Sequence, residues 1–316
     1  MQNAGLFDLQ VNGFAGVDFN STAITRDGLD HALEAMARTG VAHCLPTVIT
    51  AVEDILGDRL AALDRAVGTS RFGPVMVPGY HLEGPFLSPE EGYAGCHAPA
   101  AMVAPDHALI ERIEAELARP ILLLTLAPER PGATALIRWA KARGKVVALG
   151  HTAASSADIA AAVAAGATLS THLGNGLRRM LPKFDNPLIA QLAEDRLWAS
   201  FIADGIHIPP AALKVLLRAK GLARSILVSD ATAAAAAPAG CYELAGMAIE
   251  RADDGAVRLP GSVTLAGSSL TLDQAVRNLV DWGLASPEAA VRLASNNPAA
   301  LMGPAFEAHG VRLCGV

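Results

Sequence analysis

The chain has 316 residues, of which 52% are hydrophobic and 18% are charged, so it can form a sizeable core in one large domain or two smaller ones. Its net charge of −6 argues against a nucleic-acid-binding protein, which needs Lys and Arg clustered on one face. No apolar run reaches the roughly 18 residues of a membrane span, and the first residues lack the basic start of a secretion signal. We therefore expect a cytoplasmic enzyme that acts on a small molecule, with neither a nucleic acid nor a membrane as partner.

Short apolar runs alternate with longer helix-like stretches along most of the chain. The runs predict eight strands, at residues 6–11, 41–48, 75–82, 121–126, 146–149, 168–171, 198–203 and 226–229. Helix formers and caps between them predict helices at residues 28–38, 55–66, 107–118, 133–143, 155–165 and 210–219.

This alternation predicts an α/β fold, a single (β/α)8 TIM barrel, because parallel strands need crossover helices between them. An open doubly wound sheet fits the same alternation. However, residues 12–16 after the first strand contain neither GxGxxG nor a P-loop lysine, which argues against that alternative.

The last quarter of the chain predicts an addition to the barrel rather than a second domain. Residues 242–249 and 256–259, separated by a turn at 253–255, predict a β-hairpin within residues 241–260. Helices at 270–282 and 287–294 then close the chain. We find no repeat or disordered linker, so we expect residues 1–316 to form one catalytic barrel domain.

Polar residues follow the predicted strands again and again, and in a barrel these strand ends form the active site. They are Gln10, Asn12, Glu83, His151, His172, Asp204, His207 and Asp230. One carboxylate and two imidazoles suit a catalytic divalent metal, so we predict Glu83, His151 and His172 as its ligands. Either histidine taken alone could instead be a hydrogen-bonded core residue that binds no metal. Zn²⁺ is the first choice, although Fe²⁺, Mn²⁺ and Co²⁺ accept the same ligands.

Asp230 and His97 are the predicted catalytic residues. Asp230, at the end of the last strand, can accept a proton from water and return it to a leaving nitrogen; its alternative role is to cap the next segment. His97 lies in the Gly-containing loop after the third strand and can polarise a substrate carbonyl, unless it is simply an exposed loop residue.

The loop after His172 carries the cations Arg178, Arg179 and Lys183. An anionic substrate group would fit beside them, with solvated surface charge as the alternative. The cysteines, in contrast, are widely separated and form no CxxC pair, so we expect reduced thiols and no thiolate zinc site at any of Cys44, Cys96, Cys241 and Cys314.

These motifs together resemble the N-acetylglucosamine-6-phosphate deacetylase family of the amidohydrolase superfamily. They occur in the order DLQVNG, HLEGPF, GH, THLxN, DGIH, SDA, LAGSSLTLDQAVRN and NPA, from Asp8 to Pro298. The resemblance implies the metal ligands and the roles of Asp230 and His97 given above, and a homodimer. It also implies a site for an N-acetylated amino-sugar phosphate lined by Gln10, Cys96, Asn175, Gly176, Lys183, His207, Leu265, Ala266 and Gly267.

One metal is expected, because Gln10 and Asn12 stand where relatives with two metals carry His-x-His. Two departures from the family pattern bear on the substrate and the domains. The segments that form a small β-sandwich in the family are missing on both sides of the barrel, and Lys183 stands where the family has an arginine, which binds phosphate with a bidentate fork. The sequence therefore predicts an amino-sugar phosphate deacetylase, with a related hydrolase of another N-acyl compound and a non-catalytic ligand-binding barrel as alternatives.

Overall fold

The computed structural model describes residues 5–313, which form thirteen strands and eleven α-helices. The strands are β1 Leu6–Val11, β2 Gly13–Phe14, β3 Val17–Asp18, β4 Val41–Ile49, β5 Tyr80–Glu83, β6 Ile121–Leu126, β7 Val146–Leu149, β8 Leu169–Ser170, β9 Trp198–Ile202, β10 Ser225–Val228, β11 Gly240–Leu244, β12 Met247–Arg251 and β13 Val257–Arg258. The helices are α1 Arg26–Arg38, α2 Glu53–Thr69, α3 Gly73–Met76, α4 His107–Glu114, α5 Ala133–Ala142, α6 Ser156–Ala165, α7 Pro187–Ala193, α8 Pro210–Lys220, α9 Leu272–Asp281, α10 Pro287–Ala294 and α11 Asn296–Ala308. No helix among residues 5–313 is long and apolar enough to cross a membrane.

Eight of the strands form one parallel sheet in the order β1-β4-β5-β6-β7-β8-β9-β10. The sheet closes between its first and last strands just beyond β10, where Asp230 N–H donates to the Gln10 carbonyl at 2.9 Å and Asn12 N–H donates to the Ala231 carbonyl at 2.7 Å. The strands are almost entirely buried, as expected for a parallel sheet covered by helices. The predicted (β/α)8 barrel is confirmed, and its closure brings both ends of the sheet to the same mouth.

The third predicted strand was wrong at its start. Val75 lies in the short helix α3 and is 53% exposed, whereas the strand begins at Tyr80, which is fully buried. Pro74 occupies the first turn of α3, where its missing N–H costs nothing, and Pro78 with Gly79 then interrupts the chain before the strand. The apolar run therefore contains a helix end and a strand start.

The predicted hairpin after the barrel is a three-stranded antiparallel sheet with the order β11-β12-β13. Residues 242–249 are not one strand, because the chain turns at Ala245 and Gly246, which both have left-handed backbone angles. The sheet buries a small apolar cluster against the barrel that includes Ile49, Leu244 and Ala266. The chain after β10 therefore returns over the barrel mouth before the last helices.

Candidate active site

The predicted strand-end residues meet at the mouth of the barrel. Three of them, His151, His172 and Asp230, have positive φ angles of 49°, 26° and 49°. Such angles are uncommon for residues with a Cβ and occur where the surrounding structure imposes them. At each of these three positions the chain turns sharply as it leaves a strand. The turns direct the three side chains over the mouth.

Glu83, at the end of β5, is the centre of the site and is only 2% exposed. Its Oε1 atom lies 3.1 Å from His172 Nε2 and 3.5 Å from His151 Nε2, while its Oε2 atom lies 3.8 Å from His97 Nε2. Burial by itself opposes ionisation, yet the imidazoles of His151 and His172 hold the pKa of Glu83 well below its ordinary value. The carboxylate is therefore an anion facing three rings.

Two of these rings have a fixed orientation. His151 Nδ1 lies 2.7 Å from the Tyr93 carbonyl oxygen, and His97 Nδ1 lies 2.9 Å from the Thr50 hydroxyl. The Nδ1 atom of His172 is buried and has no hydrogen-bond partner among residues 5–313. Burial, with the neighbouring His151 acting in the same direction, lowers the pKa of His97 to about 3, so this ring is neutral at physiological pH.

Glycines allow two loops to pack directly against the His151 ring. A Cβ atom on Gly176, whose φ is +59°, would lie 2.7 Å from His151 Nδ1. A Cβ on Gly95, whose φ is +61°, would lie 3.0 Å from His151 Cε1. The close approach of both loops therefore requires residues without side chains at these positions.

The donor atoms fit a divalent metal ion. Ligand atoms of Glu83, His97 and His151 all lie within 4.8 Å of one another, and His172 Nε2 contacts the same carboxylate. Imidazole nitrogen with carboxylate oxygen is a suitable ligand set for Zn²⁺ and the neighbouring transition metals. The predicted ligands Glu83, His151 and His172 are thus brought together, and His97 joins them.

Two amide side chains, Gln10 on β1 and Asn12 just after it, contact the two carboxylates of the site. Gln10 Nε2 donates to both oxygens of Glu83, at 3.1 and 3.2 Å, and Asn12 Nδ2 donates to Asp230 Oδ1 at 2.7 Å. Gln10 is buried and contacts a predicted metal ligand, and the place beside the substrate that the family resemblance implies for it stays a prediction. The two amides therefore orient the two carboxylates.

Asp230 is buried beside the Glu83 cluster. Burial raises its pKa to about 6; the anionic Glu83 acts in the same direction, while His172 and His207 act against it. His207 Nδ1 in turn lies 2.6 Å from Asp204 Oδ2, and this imidazole holds the pKa of Asp204 below its ordinary value although burial opposes it. A carboxylate with a pKa near neutrality is suited to exchange protons at physiological pH.

A cavity of about 1340 Å³ opens above these residues. The predicted substrate residues on its wall are Cys96, Asn175, Gly176, His207, Leu265 and Gly267. Ala266 is fully buried, and Lys183 is exposed and stacks on Phe184. Three predicted substrate residues are therefore not among those that line the cavity: Gln10, Lys183 and Ala266.

The three cations of the loop after β8 have different surroundings. Arg178 donates to the Glu90 carboxylate at 2.8 Å and to the Glu91 carbonyl at 2.9 Å, so its guanidinium joins two loops. Arg179 lines the cavity, and its side chain has no ion pair or hydrogen bond within the described part of the chain. The sequence pattern did not distinguish these cations, because only the path of the loop decides which of them faces the mouth.

A buried carboxylate ringed by imidazoles at the carboxyl end of a parallel barrel, with a second carboxylate beside it, defines a metal-dependent hydrolase. The sequence model of the amidohydrolase family matches residues 3–305, and the chain belongs to that family. The family membership predicted from the motifs is confirmed.

Named relatives extend this result. The chain is 37% identical to N-acetylgalactosamine-6-phosphate deacetylase from Escherichia coli O157:H7 over 94% of its length and 76% of that protein. It is 33% identical to N-acetylglucosamine-6-phosphate deacetylase from Lysinibacillus sphaericus, over 93% and 74% of the two chains. Its fold is similar to that of N-acetyl-D-glucosamine-6-phosphate deacetylase from Mycobacterium smegmatis in complex with N-acetyl-D-glucosamine-6-phosphate, with a TM-score of 0.86, 32% identity, and coverage of 95% of this chain and 77% of that one.

Proposed function

We propose that the protein is a metal-dependent deacetylase that hydrolyses the N-acetyl amide of N-acetylglucosamine 6-phosphate to glucosamine 6-phosphate and acetate. The observation that carries this proposal is the buried Glu83 carboxylate, which faces the rings of His97, His151 and His172 with Asp230 beside them. The relatives at 33–37% identity, which are named for this reaction and its galactosamine counterpart, support the choice of substrate.

Glu83, His151 and His172 would hold one divalent metal ion, with Zn²⁺ as the first choice. When bound there, the metal supplies Lewis acidity that polarises the amide carbonyl and lowers the pKa of water. Gln10 and Asn12 would orient the two carboxylates rather than bind a second ion, because their amide N–H groups already point at Glu83 and Asp230.

Asp230 would carry the proton through the reaction. As a carboxylate it accepts a proton from the attacking water while the carbon–oxygen bond forms at the acyl carbon. It then returns the proton to the amide nitrogen as the carbon–nitrogen bond breaks, which releases the amino sugar and acetate. The hydrogen bond from Asn12 holds the carboxylate in place during both transfers.

His97, in the loop after β5, could act in either of two ways. With a proton on Nε2 it would polarise the acyl carbonyl by donating a hydrogen bond, as predicted from the sequence. With a lone pair on Nε2 it would instead bind the metal.

The phosphate of the substrate would lie beside Arg179, which lines the cavity together with Asn175 and Gly176. Arg179 is the cation best placed for it, since Arg178 is paired with Glu90 and Lys183 is not among the lining residues. An arginine also provides the bidentate fork that suits a phosphate. The sequence-based choice of Lys183 stays a prediction. A homodimer is proposed on the family resemblance alone, and a cytoplasmic location stays a prediction from the sequence.

N-acetylgalactosamine 6-phosphate is the second candidate substrate, favoured by the 37% identity to the deacetylase named for it. The two sugars differ only in the configuration at C4, so the side chains around that hydroxyl decide between them. The single-domain organisation without a β-sandwich remains a prediction.

The test is acetate release by protein whose metal content has been measured and restored. The two 6-phosphates are compared with unphosphorylated N-acetylglucosamine and with other N-acetylated amines. Metal-dependent release that is much faster with a phosphorylated sugar supports the proposal, and the faster of the two epimers identifies the substrate. A fully metal-loaded protein that turns over neither phosphorylated sugar contradicts it.

A further inference from the structure

Glu129, which lies in the loop after β6, contacts the turn that carries the predicted metal ligand His151. We propose that Glu129 is a positioning residue for the metal site, because it holds this turn so that the His151 ring faces Glu83. The inference rests on the proposed metal-dependent function and deepens it. Glu129 is not among the residues that line the cavity, so it acts on the site only through His151.

The backbone at His151 depends on contacts from outside its own strand. His151 leaves β7 with a φ angle of 49°, which is uncommon for a residue with a Cβ and occurs where the surroundings impose it. Residues 151–155 form no regular helix or strand, so no ladder of main-chain hydrogen bonds fixes them. Ser88 N–H donates to the His151 carbonyl at 3.0 Å, and side chains hold the residues that follow.

The Glu129 carboxyl group accepts two hydrogen bonds from this turn, one at each oxygen. Ala153 N–H donates to Oε1 at 2.8 Å, and the Thr152 hydroxyl donates to Oε2. Thr152 Oγ1 in turn accepts from Ala154 N–H at 3.0 Å, so its single hydrogen remains for Glu129. Thr152 and Ala154 are each only 1% exposed, so water does not replace a partner that is lost here.

The His151 ring transmits a shift of this turn to the metal site. Its Nδ1 atom lies 2.7 Å from the Tyr93 carbonyl oxygen, and a Cβ on Gly176 would lie 2.7 Å from the same atom. Because the loops around the ring are packed this closely, a shift of the turn changes either the bond to Tyr93 or the 3.5 Å distance from Nε2 to Glu83 Oε1. Groups that orient a metal ligand in this way control metal affinity.

Metal binding without substrate tests the assignment. Titration of the metal-free protein with Co²⁺ gives the dissociation constant and the visible absorption spectrum of the site. Glu129→Gln keeps the size of the side chain but replaces one acceptor oxygen by an NH₂ group, so affinity should fall by about 10-fold and the spectrum should change. Thr152→Val should have an effect of the same size, whereas Thr152→Ser keeps the hydroxyl and should bind as the wild type does.

The double variant tests whether Glu129 and Thr152 act through one hydrogen bond. If they do, Glu129→Gln combined with Thr152→Val should weaken Co²⁺ binding no more than either change alone. Losses that add in full would show two independent effects and would overturn the link from Glu129 to His151 through Thr152.

Asp185→Asn is the matched control. The Asp185 carboxylate also accepts a hydroxyl and a backbone N–H from the segment after β7, at 2.7 and 3.0 Å, but its partner is Ser156 at the start of α6. Co²⁺ binding should therefore be unchanged in this variant. Urea unfolding of both variants separates stability from metal affinity. If Glu129→Gln binds Co²⁺ as tightly as Asp185→Asn does, with the same spectrum, the assignment is refuted whatever the loss of stability.

A measurement on the metal-free protein keeps this inference separate from the proposed function. In ¹H–¹³C NMR, Glu129→Gln should shift the Cε1–H resonance of the His151 ring, whereas Asp185→Asn should not. An unmoved His151 resonance in Glu129→Gln would overturn the positioning role, even in a protein that binds no metal. Wild-type protein that binds Co²⁺ but releases no acetate from either sugar phosphate would contradict the proposed function alone.

Discussion

The two sides of the barrel mouth are built in opposite ways. On the inner side, Glu83 and the three histidines that face it are each no more than 6% exposed. Two of the histidine rings are held by hydrogen bonds to Thr50 and to the Tyr93 carbonyl. On the outer rim, defined here as residues 177–184, Met180 is 87% exposed and Phe184 is 70% exposed. The inner side determines which bond can be broken, whereas the rim determines which molecules reach it.

This difference predicts where substitutions act. Removal of a group on the inner side leaves a buried partner without its hydrogen bond or its counter-charge, which is costly. Removal of a group on the rim exposes its partners to water, which replaces most of the lost interaction. The inner side should therefore control turnover and metal binding, and the rim should control the affinity for substrate.

Asp230→Asn should have the largest effect. The amide keeps the size of the side chain but cannot accept a proton, so kcat should fall by about 10²- to 10⁴-fold while the metal is retained. The measurement is acetate release together with metal content. Asp185→Asn, close to the rim, is the control, because Asp185 is exposed and, within residues 5–313, bonds only Ser156. Equal turnover in the two variants would contradict the assignment of Asp230.

Gly176→Ala should act on the metal through His151. The new Cβ would lie 2.7 Å from His151 Nδ1, so the ring must move from its bond with the Tyr93 carbonyl, and metal affinity should fall by about 10- to 100-fold. Gly283→Ala separates this contact from backbone strain. Gly283 has a similar φ of +64° but no atom within 4 Å of the added Cβ, so it should lose some stability and no metal affinity. A metal-affinity loss shared by both variants would point to strain alone.

The structure brings together the inner-side residues that the sequence singled out, whereas Lys183 of the rim is not among the residues that line the cavity. Glu83, His151, His172 and Asp230 each follow a buried apolar run, and in a closed barrel such positions must share one mouth. Thr50 follows the run at 41–48 in the same way, so its position carried a signal that was missed. The choice between Arg179 and Lys183 carried none, because the path of an exposed loop depends on contacts that no pattern records.

The fold had a similar limit at its end. Helix α11 was not predicted, because Pro298 and Pro304 both suggest a break in the chain. The structure nevertheless buries Leu301, Met302 and Phe306 of this helix, and their packing offsets the hydrogen bond that Pro304 cannot donate. Tertiary contacts therefore decided against the local preference.

Arg179→Ala should have a moderate effect, limited to phosphorylated substrates. A charge-assisted hydrogen bond is worth about 1.5–3 kcal/mol, so the KM for a sugar 6-phosphate should rise by about 10- to 100-fold. The unphosphorylated sugar should be unaffected. Lys183→Ala, which removes a cation from the same rim, should change the KM by less than about threefold if its exposed ammonium remains in water. The opposite ranking would restore the sequence-based choice of Lys183.

Asp8 extends the inner side into the barrel and should have the smallest effect on activity, because it acts on stability alone. Its side chain is 1% exposed, and burial raises its pKa to about 7, although hydrogen bonds from Ser229 and Gln10 lower it. Between about pH 4 and pH 7 the unfolded chain loses this proton while the folded protein keeps it, so the free energy of unfolding falls as the pH rises. The shift from the ordinary value of 3.8 corresponds to at most about 4 kcal/mol at pH 8. Asp8→Asn can still accept the backbone N–H groups of Gln10 and Ser229, and it has no proton to lose. Urea unfolding at pH 5 and pH 8 should therefore show the variant gaining stability on the wild type as the pH rises, and a constant difference between the two would mean that Asp8 is ionised in the folded protein throughout.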